Sequence, residues 1–207
     1  MSFSQSKKIT LLIVLLLVID QIVKIWIKTN MTIGESIPVL GDWFQIYFIE
    51  NSGMAFGMQF GGTIGKLVLT LFRMVLIGFI IHYITKLIKE SAPAGVLYGV
   101  ALILAGAVGN VIDSIFYGLI FNESTYSTVA TIFPEGGGYA PLFFGKVVDM
   151  LYFPLIDTTL PDWVPFRGGE KFIFFRPIFN IADSCITIGV AYLLIFKRGF
   201  FATDKKN

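Results

Sequence analysis

Four stretches of the chain are long and almost unbroken in their apolar character, at about 9–27, 67–87, 96–117 and 178–196. A helix needs roughly 20 such residues to cross the hydrocarbon core of a bilayer, so the pattern predicts four transmembrane helices. Two longer connections, about 28–66 and 118–177, are mixed in character. The first contains WFQIYFIE (Trp43 to Glu50), a run of strand formers bounded by glycine, which predicts a short strand or hairpin at the membrane surface. In the second, NESTYSTVATIFPEGGGYAP is rich in turn residues and predicts a flexible loop. The stretch PLIDTTLPDWVPFRGGEKFIFFRP, with its Pro, Gly and Trp, predicts a segment lying along the bilayer. No repeat of fixed period is present, which argues against an inverted-repeat transporter. The expected fold is an all-α polytopic membrane protein, a single domain over 1–207, with four transmembrane helices and a small extracytoplasmic β-rich element.

The polar residues that interrupt these runs fall at one depth. Asp20 and Lys24 lie late in the first run, Asn110 and Asp113 late in the third, and Asn180 and Asp183 early in the fourth. Successive spans alternate in direction, and each residue adds 1.5 Å, so every group lies within roughly 5–15 Å of the same membrane face. Asn51 and Asp149 sit in the connections on that face. A charge well inside a bilayer costs about 2.5–3.5 kcal/mol on insertion scales, so such groups face one another or a wet cavity. Asp20 and Lys24, one turn apart, can neutralise each other. Each Asn/Asp pair can also serve only to hydrogen-bond helices together. Six groups in one layer over three helices suggest more than that. Two carboxyls held close share one proton, so that one acts as base and the other as acid. That combination activates water and protonates a leaving amine, which is amide hydrolysis. On depth alone Asp113, Asp149 and Asp183 are all candidates for the pair.

Composition narrows the class. Hydrophobic residues make up 55% of the 207 and charged residues 14%, against about 25% charged in soluble domains. The mean hydropathy is +0.76. A net charge of +2 gives no argument for nucleic acid. Its distribution is informative: Lys7, Lys8, Lys86, Lys89, Lys197, Arg198, Lys205 and Lys206 all fall on one side if the chain crosses four times. That side is expected to be cytoplasmic, with both termini there. The N-terminal run follows two lysines but no small-x-small cleavage site follows it, so it reads as a retained anchor. The one cysteine, Cys185, cannot form an internal disulfide, and the lone His82 belongs to no metal-ligand cluster. Both read as packing or interface residues. Lys28, Lys66 and Arg73 are expected to reach outward to the headgroups.

Five ordered blocks carry a family resemblance. DQIVK (Asp20 to Lys24), NSGMAFG (Asn51 to Gly57), GAVGNVID (Gly106 to Asp113), VVDM (Val147 to Met150) and FNIAD (Phe179 to Asp183) together resemble lipoprotein signal peptidase, or signal peptidase II, a family of bacterial membrane aspartic proteases. The resemblance implies that Asp149 and Asp183 are the catalytic dyad and that Asp113 is structural. It implies that Asp20, Lys24, Asn51, Asn110 and Asn180 line the site. Lys24 or Asn51 would donate to the scissile carbonyl, and Gly53 and Gly57 would permit tight turns near the substrate. The implied reaction is cleavage of a prolipoprotein before a cysteine carrying diacylglycerol, without metal or organic cofactor. The implied setting is the bacterial cytoplasmic membrane, with the site near the outer leaflet and membrane lipid and lipid-modified prolipoproteins as partners. The protein reads as a monomer. Two departures stand out. The arginine that usually follows the family's third-block Asp is Ser114 here, with Arg176 or Lys146 as replacements, and the stretch from about Leu119 to Phe144 is longer than usual. The rival readings are a proton- or cation-coupled transporter and a scaffold whose polar groups only join helices.

Overall fold

A computed structural model describes residues 4–52 and 62–203. Among the described residues three helices are long and apolar enough to cross a membrane: α1 (Gln5–Asn30), α2 (Gly62–Lys89) and the continuous segment from Ala94 to Ile120. That segment comprises α3 (Ala94–Ile112), a π-helical turn Asp113–Tyr117 and a last turn α4 (Gly118–Ile120). The fourth apolar helix, α5 (Ile181–Phe196), has only 16 residues, and α6 (Arg198–Thr203) follows it. The first three helices outrun the predicted spans at both ends, while α5 starts later and ends at Phe196 as expected. Residues 178–179 belong to a strand instead.

The chain is not all-α. A four-stranded antiparallel sheet runs in the order β1 (Ser36–Leu40), β2 (Phe44–Asn51), β3 (Val147–Tyr152) and β6 (Ile178–Phe179). Strands β4 (Ile156–Thr159) and β5 (Lys171–Phe174) form a separate hairpin. The run WFQIYFIE supplies β2 as its composition predicts. One partner of β2 is the adjacent β1, while the other, β3, comes from beyond residue 146, and that long-range pairing has no local signal. The stretch expected to lie along the bilayer surface carries the β4–β5 hairpin.

Small residues set how closely the helices approach. A Cβ on Gly106 would lie 2.2 Å from the Ala182 carbonyl oxygen, and one on Gly189 would lie 2.8 Å from the Gly99 carbonyl oxygen. One on Gly109 would meet Asp20 Oδ2 at 2.8 Å. With no hydrophobic drive between helices in lipid, such backbone approach is what packs them. The core on the N-terminal side of α3 gathers Ile9, Ile84, Leu87, Val96, Leu97, Val100, Ala101, Leu104 and Leu193. A second core lies where the sheet meets the ends of α1 and α3, around Ile27, Met31, Phe48, Tyr117, Phe121, Ala130, Val148 and Met150.

The long 119–144 insertion, which contains the turn-rich stretch 122–141, contributes Phe121 and Ala130 to that second core. Phe121 and Ala130 are buried, Phe121 bridges Ile132, and the Tyr139 N–H donates to the Phe121 carbonyl at 3.0 Å. Its turn-rich composition supplies an irregular path that Phe121 and Ala130 anchor, while Tyr126, Ile132 and Phe133 stay exposed. Gly106→Val should strike the Ala182 carbonyl and separate α3 from α5. The expected result is a thermal midpoint in detergent lowered by the equivalent of about 1–3 kcal/mol, read by a melting assay against wild type.

Candidate active site

The site begins at the start of α5. Asn180 has extended backbone, and its Oδ1 accepts the Asp183 N–H at 2.8 Å while Asp183 Oδ2 accepts the Asn180 N–H at 3.3 Å. This reciprocal cap satisfies two donors that a helix start leaves open. It also fixes the Asp183 carboxyl against the sheet. The Asn180 amide is then left to face outward, and its Nδ2 reaches Asp149 Oδ1 at 2.7 Å, Asn110 Oδ1 at 3.0 Å and the Val148 carbonyl at 3.3 Å. Asn110 Nδ2 donates to Asp183 Oδ1 at 2.7 Å. Asn51, at the end of β2, donates to Asp149 Oδ2 at 3.3 Å. Three asparagines from three elements therefore tie Asp149 and Asp183 into one cluster.

Asp149 is 2% exposed, and Asp183 is half-buried. Burial, and after it the charge of Asp183, pushes the Asp149 carboxyl up to about 7. The hydrogen bonds from Asn51 and Asn180 and the charge of Lys24 act in the opposite sense and are outweighed.

Beneath this pair lies a supporting layer. Lys24, wholly buried, places its ammonium 3.0 Å from Asp20 Oδ2, 2.8 Å from Asp113 Oδ2 and 2.9 Å from Asn110 Oδ1. Asp113 also accepts the Val148 N–H at 3.3 Å, and Asp20 Oδ1 accepts the Ala182 N–H at 3.0 Å. Both acids thus fasten the backbone next to the upper carboxyls. The structure brings Asp20, Lys24, Asn51, Asn110, Asp113, Asp149, Asn180 and Asp183 together, while Gly53 and Gly57 lie outside the described residues.

Several participants have no place in the sequence expectation. Gln21 Nε2 joins Asp20 and Asp113 at 3.1 and 2.9 Å, and its Oε1 accepts the Tyr117 hydroxyl at 3.2 Å. An amide beside Asp20 in an apolar run was the available signal. Arg73 is half-buried, on the same stripe of α2 as the buried Thr70, Ile84 and Leu87, and its charge interacts with Asp183 and Asp149. It does not reach outward. Nor does Lys28, which is fully buried and pairs with Glu50. Periodicity shows that a basic chain can extend, but not toward what. Asp113 finds its countercharge in Lys24. Lys146 is occupied by Glu50 and Glu123, and Arg176 is exposed beside Tyr47, Tyr152 and Lys171. Neither stands in for an arginine at position 114. Ser114 is buried and donates to the Asn110 carbonyl at 2.9 Å, a site with no need of charge.

Residues 12–198 match the family model described as signal peptidase (SPase) II. The chain belongs to the signal peptidase II family. It is 54% identical over 192 residues to a lipoprotein signal peptidase of Porphyromonas gingivalis, covering 92% of this chain and 83% of that one. It is 43% identical over 187 residues to the lipoprotein signal peptidase of Amoebophilus asiaticus, covering 89% and 75%. A solved structure titled as a bacterial membrane enzyme shares the fold at a TM-score of 0.58 with 25% identity, over 91% of each chain. Within this signal peptidase II chain, a bacterial membrane protein, Asn180 does two separable jobs. Asn180→Ala should cost about 1 kcal/mol through the lost cap and abolish most turnover. Asn180→Ser keeps an accepting oxygen, so it should recover the melting temperature without recovering peptidase activity.

Proposed function

We propose that Asp149 and Asp183 form the catalytic dyad of an aspartic endopeptidase. The chain removes the signal peptide from lipoproteins, and in the full reading it cuts before the cysteine already modified with diacylglycerol. The observation that carries the dyad is that Asn180 and Asn110 bind both carboxyls into one hydrogen-bonded group at a helix start. One proton is shared. Asp149, the more buried, holds it at neutral pH, and Asp183, the more open, takes a proton from the attacking water. Asp149 then delivers its proton to the carbonyl oxygen as the tetrahedral intermediate forms. When the intermediate collapses, the proton acquired by Asp183 passes to the leaving amine and one hydroxyl of the intermediate returns a proton to Asp149, which restores the starting pair. The Lys24, Asp20, Gln21 and Asp113 layer keeps both carboxyls in place.

The four-span reading places α5 as the fourth crossing, with both termini cytoplasmic and the sheet on the outer surface. The dyad is then at the lipid–water boundary, where the acyl chains of the substrate remain in the leaflet while its peptide bond meets the carboxyls. This reading has the protein acting as a monomer. Family membership does not favour a transporter.

Mass spectrometry of a diacylglyceryl-modified prolipoprotein incubated with the purified protein should show a free signal peptide and a product beginning at the lipidated cysteine. Asp149→Asn and Asp183→Asn should each lower turnover by about 10²–10⁴-fold, and full turnover in either one rejects the dyad. Asp113→Asn should mainly lower the melting temperature. Because the active form needs a proton on Asp149, turnover should fall as pH rises through about 7. A rate flat from pH 6 to 9 in a stable enzyme contradicts this.

A further inference from the structure

The pairing that places Asp149 is short. Strand β2 meets β3 at Ile49↔Asp149, Glu50↔Val148 and Asn51↔Val147, and a register shift between Ile46 and Ile49 separates these pairs from the rest of the ladder. A slip of one residue in a strand turns each side chain to the opposite face. In this case it would take Asn51 away from Asp149. Something beyond the ladder has to hold the register.

Glu50 stands between the two pairs that matter, and its side chain is 4% exposed. It forms a buried ion pair with Lys28 near the end of α1. The Ser124 hydroxyl, from the insertion, accepts from Lys28 Nζ at 2.9 Å and donates to Glu50 Oε1 at 3.0 Å, closing a triangle. Lys146 Nζ lies 3.4 Å from Glu50 Oε2 and 3.0 Å from Glu123 Oε1. Tyr139 is placed between the two lysines, its ring 5.1 Å from Lys28 Nζ and 5.4 Å from Lys146 Nζ, while its hydroxyl accepts the Lys146 N–H at 2.6 Å. Among the described residues, the ion pairs and side-chain hydrogen bonds on Glu50 come from Lys28 of α1, from Lys146 and from Ser124 of the insertion. A buried ion pair contributes little net stability but is costly to break, which suits it to fixing one arrangement over others.

We propose that Glu50, Lys28 and the insertion's Ser124 form a register lock that keeps Asn51 against Asp149, making the 119–144 insertion a brace for the active site. The proposal rests on the dyad reading. Glu50, Lys28 and Ser124 are positioning residues, acting on the reaction only through Asn51. The other charged groups around the lock are Lys66 of α2, Lys146 and Glu123, and those around Asp149 are Asp183, Lys24 and Arg73.

The test is the pH profile of the full-length enzyme on a lipidated prolipoprotein. Loosening the lock weakens the Asn51 hydrogen bond, which favours the ionised Asp149. Ser124→Ala should therefore move the alkaline limb of kcat to higher pH and lower kcat about tenfold, with KM little changed. Ser124→Thr, which keeps the hydroxyl, should restore both. The paired change Lys28→Met with Glu50→Leu removes the buried charges together and is expected to fold, yet to show the same displaced limb. That pair carries the test if Ser124→Ala does not fold. Combining Asn51→Ala with Ser124→Ala should add no further loss to Asn51→Ala alone. A Ser124→Ala enzyme that melts lower but keeps its limb and its kcat overturns the lock, as do losses that multiply in the double variant. Turnover by Asp149→Asn would instead overturn the dyad reading. An inactive Asp149→Asn beside an unmoved Ser124→Ala profile sinks the lock alone.

Discussion

The arrangement depends on one buried ammonium. Lys24 has no exposed surface, and its three acceptors come from Asp20 one turn earlier in α1 and from Asn110 and Asp113 of the third long helix. A cation in an apolar interior has no water to fall back on, so the position of every acceptor is strongly constrained. Asp20 and Asp113 are in turn bound to backbone N–H groups of Ala182 and Val148. Satisfying one charge therefore fixes α1, α3, α5 and β3 relative to one another. The glycines at 106 and 109 are what let those elements come near enough for it to happen.

Asn110 joins this lysine-centred base to the layer above. Its Oδ1 receives Lys24 and Asn180, and its Nδ2 serves Asp183. The upper layer differs from the base in one respect that matters chemically. Asp20 and Asp113 have a cation against them, whereas Asp149 is held by neutral amides in a buried position and faces another carboxyl. Asp20 and Asp113 are clamped by a contacting ammonium, while Asp149 and Asp183 share asparagine donors with the Arg73 charge nearby, an arrangement in which two carboxyls can share one proton. That contrast is the physical basis for assigning the proposed chemistry to Asp149 and Asp183.

Much of this was open to sequence reading, for a particular reason. A carboxylate or amide in an apolar run is conspicuous, so Asp20, Asn110, Asp113, Asn180 and Asp183 declare themselves by their surroundings. The depth argument then gathers them without any knowledge of contacts. Asp149 is harder to place, because it lies in a strand where its own pairing partner, Ile49, is about a hundred residues earlier. Depth alone left it level with Asp113, and only the family pattern separated them. The residues that escaped notice are those whose meaning is directional. Arg73 and Lys28 look like surface cations in any one-dimensional pattern, yet both turn inward, one toward the carboxyls and the other toward Glu50. The inward packing of the insertion was hidden similarly, since its glycines and serines advertise turns while Phe121 and Ala130 do the anchoring.

The brevity of α5 has a mechanical corollary. Its 16 residues measure about 24 Å, against about 30 Å of hydrocarbon in a typical bilayer. On the four-span reading, the leaflet around Asn180 has to dimple inward or the polar head of the helix has to sit beneath the lipid carbonyls. Where the leaflet dimples, the distance a peptide bond must travel out of water to meet Asp183 is shortened by the membrane's own deformation. Acyl-chain length in the surrounding lipid then becomes a variable of the enzyme itself.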